Sequence, residues 1–169
     1  METTCLIRKM QTSDVKELSQ GFINQGWPGR EEILARYFLE QECGEREVLV
    51  AEVEGALAGY ITILPCAKQG PFAEIYPELS DFNVFEPFQN QGIGNLLLEE
   101  AEKRVKLISD KVTLGVGLHS GYGPAQRLYI KRGYIPDGTA VWYRNQPLEM
   151  NATIQNNDDL VLYLSKEFE

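Results

Sequence analysis

Gln89, Gly92 and Gly94 are spaced so that a helix begins on glycine-containing backbone directly after a strand-like run ending at Val84. The first N–H groups of such a helix have no intrahelical partner, and the positive end of its dipole lies with them. That combination suits a phosphate or pyrophosphate, and glycines remove the Cβ atoms that would hold the anion away from the amides. Spacing narrows the choice. A P-loop needs Gly-Lys-Ser/Thr, and Asn95 stands where the lysine would be; a dinucleotide fingerprint needs a third glycine where this chain has Leu97. The backbone from Gln89 through Asn90, Gln91, Gly92, Ile93 and Gly94 to Asn95 is therefore the candidate anion cradle.

Side chains able to move protons stand on either side of it. Glu78 and Asp81 belong to the strand that feeds the loop, and either carboxylate could act as a general base, directly or through water. Glu78 shares strand parity with Phe82 and Val84, whereas Asp81 points to the other face unless a bulge intervenes. Tyr129 lies in the later run Ala125-Gln126-Arg127-Leu128-Tyr129, where it can either deliver a proton to a leaving group or simply pack beside Ala125 and Leu128. His119 is the only histidine and no Cys-x-x-Cys pair exists, so no metal centre is expected. No Gly-x-Ser-x-Gly elbow supports a hydrolase built on that histidine.

The elements that must position these residues follow from periodicity. Cys5–Met10 reads as a first strand. A helix carries Val15, Leu18 and Phe22, with Thr12-Ser13-Asp14 offering caps and Glu17 in capping-box register. Pro28 and Gly29 separate it from a second helix bearing Ile33, Leu34, Tyr37 and Phe38, which Gly44 ends. Val48–Val53 and Leu57–Leu64 form a hairpin through Glu54-Gly55, and Leu79–Val84 is the strand before the glycine loop. Ile93, Leu97, Ala101, Val105 and Ile108 make a helical stripe. Glu99/Lys103, Glu100/Arg104 and Glu102/Lys106 are acid-first pairs on its solvent side. In Val112–Leu118 bulky residues alternate with Gly115 and Gly117, a bare face with room for a ligand or for close packing. Pro124 opens a further helix that Gly133 closes, and strands at Trp142-Tyr143 and Leu160–Leu164 finish the chain. The order β-α-α-β-β-β-α-β-α-β-β predicts an α/β fold, a mixed central sheet flanked by helices.

Bulk properties bound the rest. The 169 residues suit one domain spanning 1–169, and 43% apolar with 24% charged residues is ordinary for a globular protein. A formal net charge of −9 argues against nucleic acid and against a basic membrane-binding face. No apolar run reaches membrane-spanning length, and the Met1-Glu2-Thr3-Thr4 start does not read as a signal peptide, so a cytoplasmic protein is expected. Cys5, Cys43 and Cys66 are expected as reduced, mostly buried thiols.

Gln89-x-x-Gly92-x-Gly94 resembles the acetyl-CoA loop of the GCN5-related N-acetyltransferases (GNAT), whose pattern is Gln/Arg-x-x-Gly-x-Gly/Ala. The run Ala125 to Tyr134 is similar to that family's Ala-x-x-Leu-Tyr-x-x-x-Gly-Phe/Tyr signature, and the element order agrees over nearly the whole chain. The resemblance implies acetyl-CoA as co-substrate and a primary amine of a small molecule or peptide as acceptor, with direct attack in a ternary complex. Backbone groups of Phe82 and Val84 would pair with the pantetheine arm, and the Val84 N–H would hold the thioester oxygen. Tyr129 would be general acid and Glu78, with Asp81 as its rival, general base. Tyr122 stands where the family often has a cofactor-contacting Asn, so its contact with CoA is a departure from the pattern. The early helices and last hairpin bring Trp27, Arg36, Tyr37 and Trp142 forward as acceptor-site residues. A non-catalytic acyl-CoA-binding or sensor domain of the same fold is the alternative, and a phosphate-ligand α/β protein outside the family a third. Membrane and nucleic-acid partners are not expected; a homodimer is left open.

Overall fold

The computed structural model describes residues 4–169; Met1-Glu2-Thr3, on which the reading of the N-terminal start rests, lie outside the described residues. The elements are β1 (Cys5–Lys9), α1 (Asp14–Asn24), α2 (Glu31–Glu42), β2 (Glu47–Val53), β3 (Ala56–Leu64), β4 (Glu78–Val84), α3 (Ile93–Val105), β5 (Lys111–Gly117), α4 (Gly123–Lys131), β6 (Ile135–Tyr143), β7 (Gln146–Pro147) and β8 (Leu160–Glu167). The expected order is present, with the two-residue β7 added as the return arm of a hairpin on β6. The chain forms two compact units, residues 1–64 with 80–104 and residues 65–79 with 105–169.

In the first unit β1 pairs antiparallel with β2, and β2 with β3. The β2–β3 turn has Glu54 at φ 50° and Gly55 at φ 83°, the two left-handed residues that a tight two-residue hairpin needs. Leu18 and Phe22 of α1 and Leu34 and Tyr37 of α2 are buried with Val48, Val50 and Tyr60 of the sheet in one apolar cluster. In α3, Ile93, Leu97, Ala101 and Val105 are buried as the stripe predicts, but the helix ends at Val105 and Ile108 is 61% exposed beyond it. Glu102 is buried rather than on the solvent side; the other two acid–base pairs form, at 3.6 Å for Glu99–Lys103 and 3.3 Å for Glu100–Arg104.

The capping box at α1 does not form. Asp14 turns to Arg8, accepting from Nη1 at 2.7 Å and Nη2 at 3.0 Å, and Glu17 Oε1 accepts instead from the Leu57 N–H. A bidentate ion pair with a guanidinium outweighs a single bond to a backbone N–H, and nothing local in the sequence announces it.

In the second unit the start of β4 runs parallel to β5, with Glu78 opposite Thr113 and Leu79 opposite Leu114. β5 pairs antiparallel with β8 along its whole length, and β8 with β6. The β6 register shifts between Pro136 and Val141, where Gly138 has φ 99° and Ala140 φ 63°. The bare face of β5 leaves no room for a ligand at its glycines. A Cβ at Gly115 would meet Val161 at 2.8 Å and the Tyr163 ring at 3.2 Å, and one at Gly117 would collide with the Tyr122 ring. The expectation of mostly buried thiols is also corrected: all three are free, but Cys43 and Cys66 are exposed.

Gly59 admits the strand that follows the β3 hairpin. A Cβ there would collide with the Asn83 carbonyl oxygen and lie 2.9 Å from Val84 Cα. These are backbone atoms that cannot swing aside. Gly59→Ala should therefore destabilise the fold by about 1–3 kcal/mol, read as a lower urea midpoint with an unchanged m-value.

Candidate active site

The candidate residues fall in both units. In the first, Val84 leads through a single 3-10 turn at Glu86–Phe88 into Gln89 and the glycine loop. Asn90 and Gly92 take left-handed φ values of 60° and 82°, turning the chain sharply into α3. A Cβ at Gly92 would meet nothing within 4 Å, so the space above this backbone is open. The Gly92 carbonyl accepts from Leu96 N–H at 3.1 Å, which leaves the amides of the preceding turn at the positive end of the helix. Gln91 donates to the Pro87 carbonyl at 3.1 Å and Gln89 to the Val84 carbonyl at 2.9 Å. Gln89 thus ties the glycine loop to the last residue of β4.

Within β4 the strand alternation is broken at Asp81, which has φ 48°. The parity argument that separated Glu78, Phe82 and Val84 from Asp81 holds only up to this kink. The Asp81 carboxylate is bidentate to Arg30, with Nη1 to Oδ1 at 3.1 Å and Nη2 to Oδ2 at 2.7 Å. Tyr37 donates to Oδ2 at 2.9 Å and the Asn83 amide to Oδ1 at 2.9 Å. A carboxylate has about four lone-pair sites, and here four donors occupy them. Arg30 itself has φ 61° at the start of α2, so both partners of the pair sit in the left-handed region. For non-glycine residues that conformation costs on the order of 1–2 kcal/mol each. Nη1 of Arg30 also donates to Tyr60 Oη at 2.7 Å, and the guanidinium lies 5.3 Å from the Phe22 ring centre.

Charge in this network is fixed by its surroundings. Burial is the largest influence on the Arg30 guanidinium and works against its charge, but the hydrogen bond to Asp81 together with the surrounding Tyr60, Asp81 and Tyr37 groups outweighs it, so its pKa rises. Burial, then the neighbouring Asp81 charge, pushes the Tyr37 phenol up to about 12 and raises that of Tyr60. Both phenols stay protonated; Tyr37 donates to Asp81, and Tyr60 accepts from Arg30. The preceding peptide is held as well: the Thr62 hydroxyl accepts from Arg46 at 2.7 Å and donates to the Ser80 carbonyl at 2.8 Å.

In the second unit Glu78 is half-buried beside Thr113, and its charge helps burial to raise the Tyr163 phenol. Tyr129 is 7% exposed on α4, its ring edge-on to Tyr134 with centroids 6.0 Å apart. Burial, and then Tyr122, holds its phenol above the ordinary range, so the hydroxyl can give a hydrogen bond but not act as a base near neutral pH. Tyr122 lies over Gly117 and donates to Asp158 Oδ1 at 3.0 Å. His119 Nε2 is 3.0 Å from the same oxygen while Nδ1 accepts from the Gly121 N–H at 3.1 Å. The His119 hydrogen bond and then that of Tyr122 hold Asp158 below its usual carboxylate range.

Of the acceptor-site candidates, Tyr37 meets Asp81, whereas Trp27 is 60% exposed, Arg36 pairs with Glu40 at 3.6 Å and Trp142 packs edge-on to Tyr163. Arg30, Tyr60 and Asn83 were missed by the sequence reading. A tyrosine inside the apolar run Leu57–Leu64 was their one visible signal. Among the described residues, no group of three or more His, Cys, Asp or Glu is placed to hold a metal ion, and no helix is long and apolar enough to cross a membrane.

Comparison with known proteins bears directly on this geometry. Residues 13–134 match the model of the Acetyltransferase (GNAT) family. The GNAT-family acetyltransferase of Streptococcus pneumoniae superposes with a TM-score of 0.68 at 23% identity, covering 98% of this chain and 100% of its own. The N-acetyltransferase of Staphylococcus aureus Mu50 gives 0.73 at 14% identity, covering 99% and 100%. The PaiA N-acetyltransferase of Thermoplasma acidophilum, solved in complex with coenzyme A, gives 0.67 at 18% identity, covering 98% and 99%. No curated protein matches the sequence. With the family model covering most of its length, the chain belongs to the GNAT family of acetyltransferases, whose acetyl donor is acetyl-CoA.

Proposed function

We propose that residues 1–169 act as a single N-acetyltransferase domain that moves an acetyl group from acetyl-CoA to a primary amine of a small molecule or peptide, by direct attack in a ternary complex. The observation that carries this reading is the loop at Gly92. Its left-handed glycine, the open space above it and the helix start behind it together fit a pyrophosphate. A family match over residues 13–134 supports it independently.

In this reading the amides from Gln91 to Asn95, in the loop that Gln89 and Asn90 enter, hold the pyrophosphate. Backbone groups of Phe82 and Val84 line up the pantetheine arm, and the Val84 N–H faces the thioester oxygen, where negative charge grows during attack. Gln89, bonded to the Val84 carbonyl, holds the next peptide along, Val84–Phe85. Glu78 takes the proton of the attacking amine. Asp81, its rival, already carries four donors, which leaves it poorly disposed to accept another. Tyr129, kept protonated by burial, gives its hydrogen bond to the sulfur as the thiolate departs. Tyr122, engaged with Asp158, would touch the cofactor through its ring. Exposed free thiols at Cys43 and Cys66 favour the reducing cytoplasm.

The reading is tested by following free thiol release from acetyl-CoA with a panel of amines. Amine-dependent release supports transfer; CoA binding without release would point to a sensor domain instead. Gly94→Glu adds bulk and a like charge at the anion, so calorimetry should find CoA affinity lost in a variant that still melts cooperatively. Glu78→Gln should lower turnover and move the acidic limb of the pH–rate profile, since it removes only the basicity. Tyr129→Phe should cost roughly a hundredfold in turnover, with CoA affinity and melting temperature close to those of the parent. Near-parental turnover with chemistry rate-limiting would return Tyr129 to a packing role.

A further inference from the structure

β4 departs from strand geometry at one residue, and that residue is clamped by another departure far away in sequence. We propose that Arg30 is a positioning residue: its bidentate pair with Asp81 holds the kink that sets the direction of the Phe82–Val84 backbone. The proposal rests on the acetyl-transfer reading, in which that backbone lines up the donor.

Four observations carry it. Asp81 at φ 48° and Arg30 at φ 61° are both non-glycine residues in the left-handed region, and such strain persists only where surrounding contacts over-determine it. The contacts are present: two guanidinium bonds of 3.1 and 2.7 Å, with Tyr37 and Asn83 completing the Asp81 shell. Arg30 also reaches the far end of the same segment. It lies over the Phe22 ring, which packs edge-on against Phe85 with centroids 5.2 Å apart. Finally, the backbone is tied on both sides of the kink: Ser80 C=O accepts from Thr62 and Val84 C=O accepts from Gln89, while the Asn83 side chain bonds that of Asp81. Arg30 therefore grips the segment at Asp81 and, through Phe22, at Phe85, on both sides of the residues that must meet the donor.

This assignment separates Asp81 from a proton-transfer role by a substitution that only conformation can explain. Glycine adopts φ near 50° without steric cost, whereas alanine does not. Asp81→Gly and Asp81→Ala remove the same carboxylate and differ in what the backbone tolerates. The variants Arg30→Ala, Arg30→Lys, Asp81→Ala and Asp81→Gly are compared in the full chain. Turnover on the amine found by the acceptor panel, acetyl-CoA affinity by calorimetry, the pH–rate profile and melting temperature are measured for each.

Asp81→Ala and Arg30→Ala should lose about tenfold or more in turnover, the scale of a small misplacement of reacting groups, with acetyl-CoA affinity within about twofold. Asp81→Gly should recover much of that turnover, with the acidic limb of the profile unmoved. Arg30→Lys should behave like Arg30→Ala, because an ammonium keeps the charge but loses the two-pronged fork. Equal loss in Asp81→Gly and Asp81→Ala with a displaced acidic limb would overturn the proposal in favour of Asp81 as base. Parental turnover in folded Arg30→Ala, or in Arg30→Lys where the alanine variant does not fold, would overturn it as well. A parent chain that releases no thiol with any amine contradicts the acetyl-transfer reading instead. In that case Asp81→Gly melting above Asp81→Ala still supports the clamp, and the reverse order overturns it.

Discussion

A carboxylate inside a strand, held at φ 48° by an arginine that is itself at φ 61°, is the constraint on which the first unit turns. The side chains of the pair are 26% and 14% exposed, so neither charge is fully solvated and each needs the other. Separating them would leave a partly desolvated ion and two strained residues without the bidentate bond that joins them. Around this pair the polar side chains of α2, β3 and β4 converge: Tyr37, Tyr60, Thr62 and Asn83 each donate to or accept from it or its adjoining peptide. The apolar cluster of α1, α2 and the sheet encloses them.

The glycine loop depends on the same strand from its other end. Gln89 fastens the loop to the Val84 carbonyl, so the side chain that marks the motif in sequence acts in the structure as a link between β4 and α3. Glycines of this unit have different uses. Gly92 supplies a left-handed φ with open space above it, whereas Gly59 of β3 supplies close approach of the next strand's backbone. In the acetyl-transfer reading only the first kind offers a place for a ligand.

Most of the fold was legible because it rests on local pattern. The stripe Ile93, Leu97, Ala101 and Val105 specifies a helix face, and Glu54-Gly55 specifies a turn, without reference to distant residues. What was not legible depends on partners far apart in sequence. Asp81 and Arg30 are 51 residues apart, and strand parity alone gave no means to foresee that this pairing would break the alternation. Asp14 abandons its capping box for Arg8, Glu102 is buried rather than solvated, and Gly115 and Gly117 receive the rings of Tyr163 and Tyr122 rather than a ligand. In each case a tertiary contact outbid a local preference. The candidate site divides in the same way. Its loop was read from glycine spacing, while the residues that shape β4 came only with the structure.

The central claim, that CoA is held by backbone amides at the start of α3 and at the end of β4, is tested most directly by an amide chemical-shift titration of the isotopically labelled chain with CoA. The account predicts that the largest saturable shifts fall on Gln91 to Asn95 and on Val84, with the Asp81 amide shifting little because its clamp is already formed. Saturable shifts that leave Gln91 to Asn95 unmoved and gather elsewhere on the chain would contradict it.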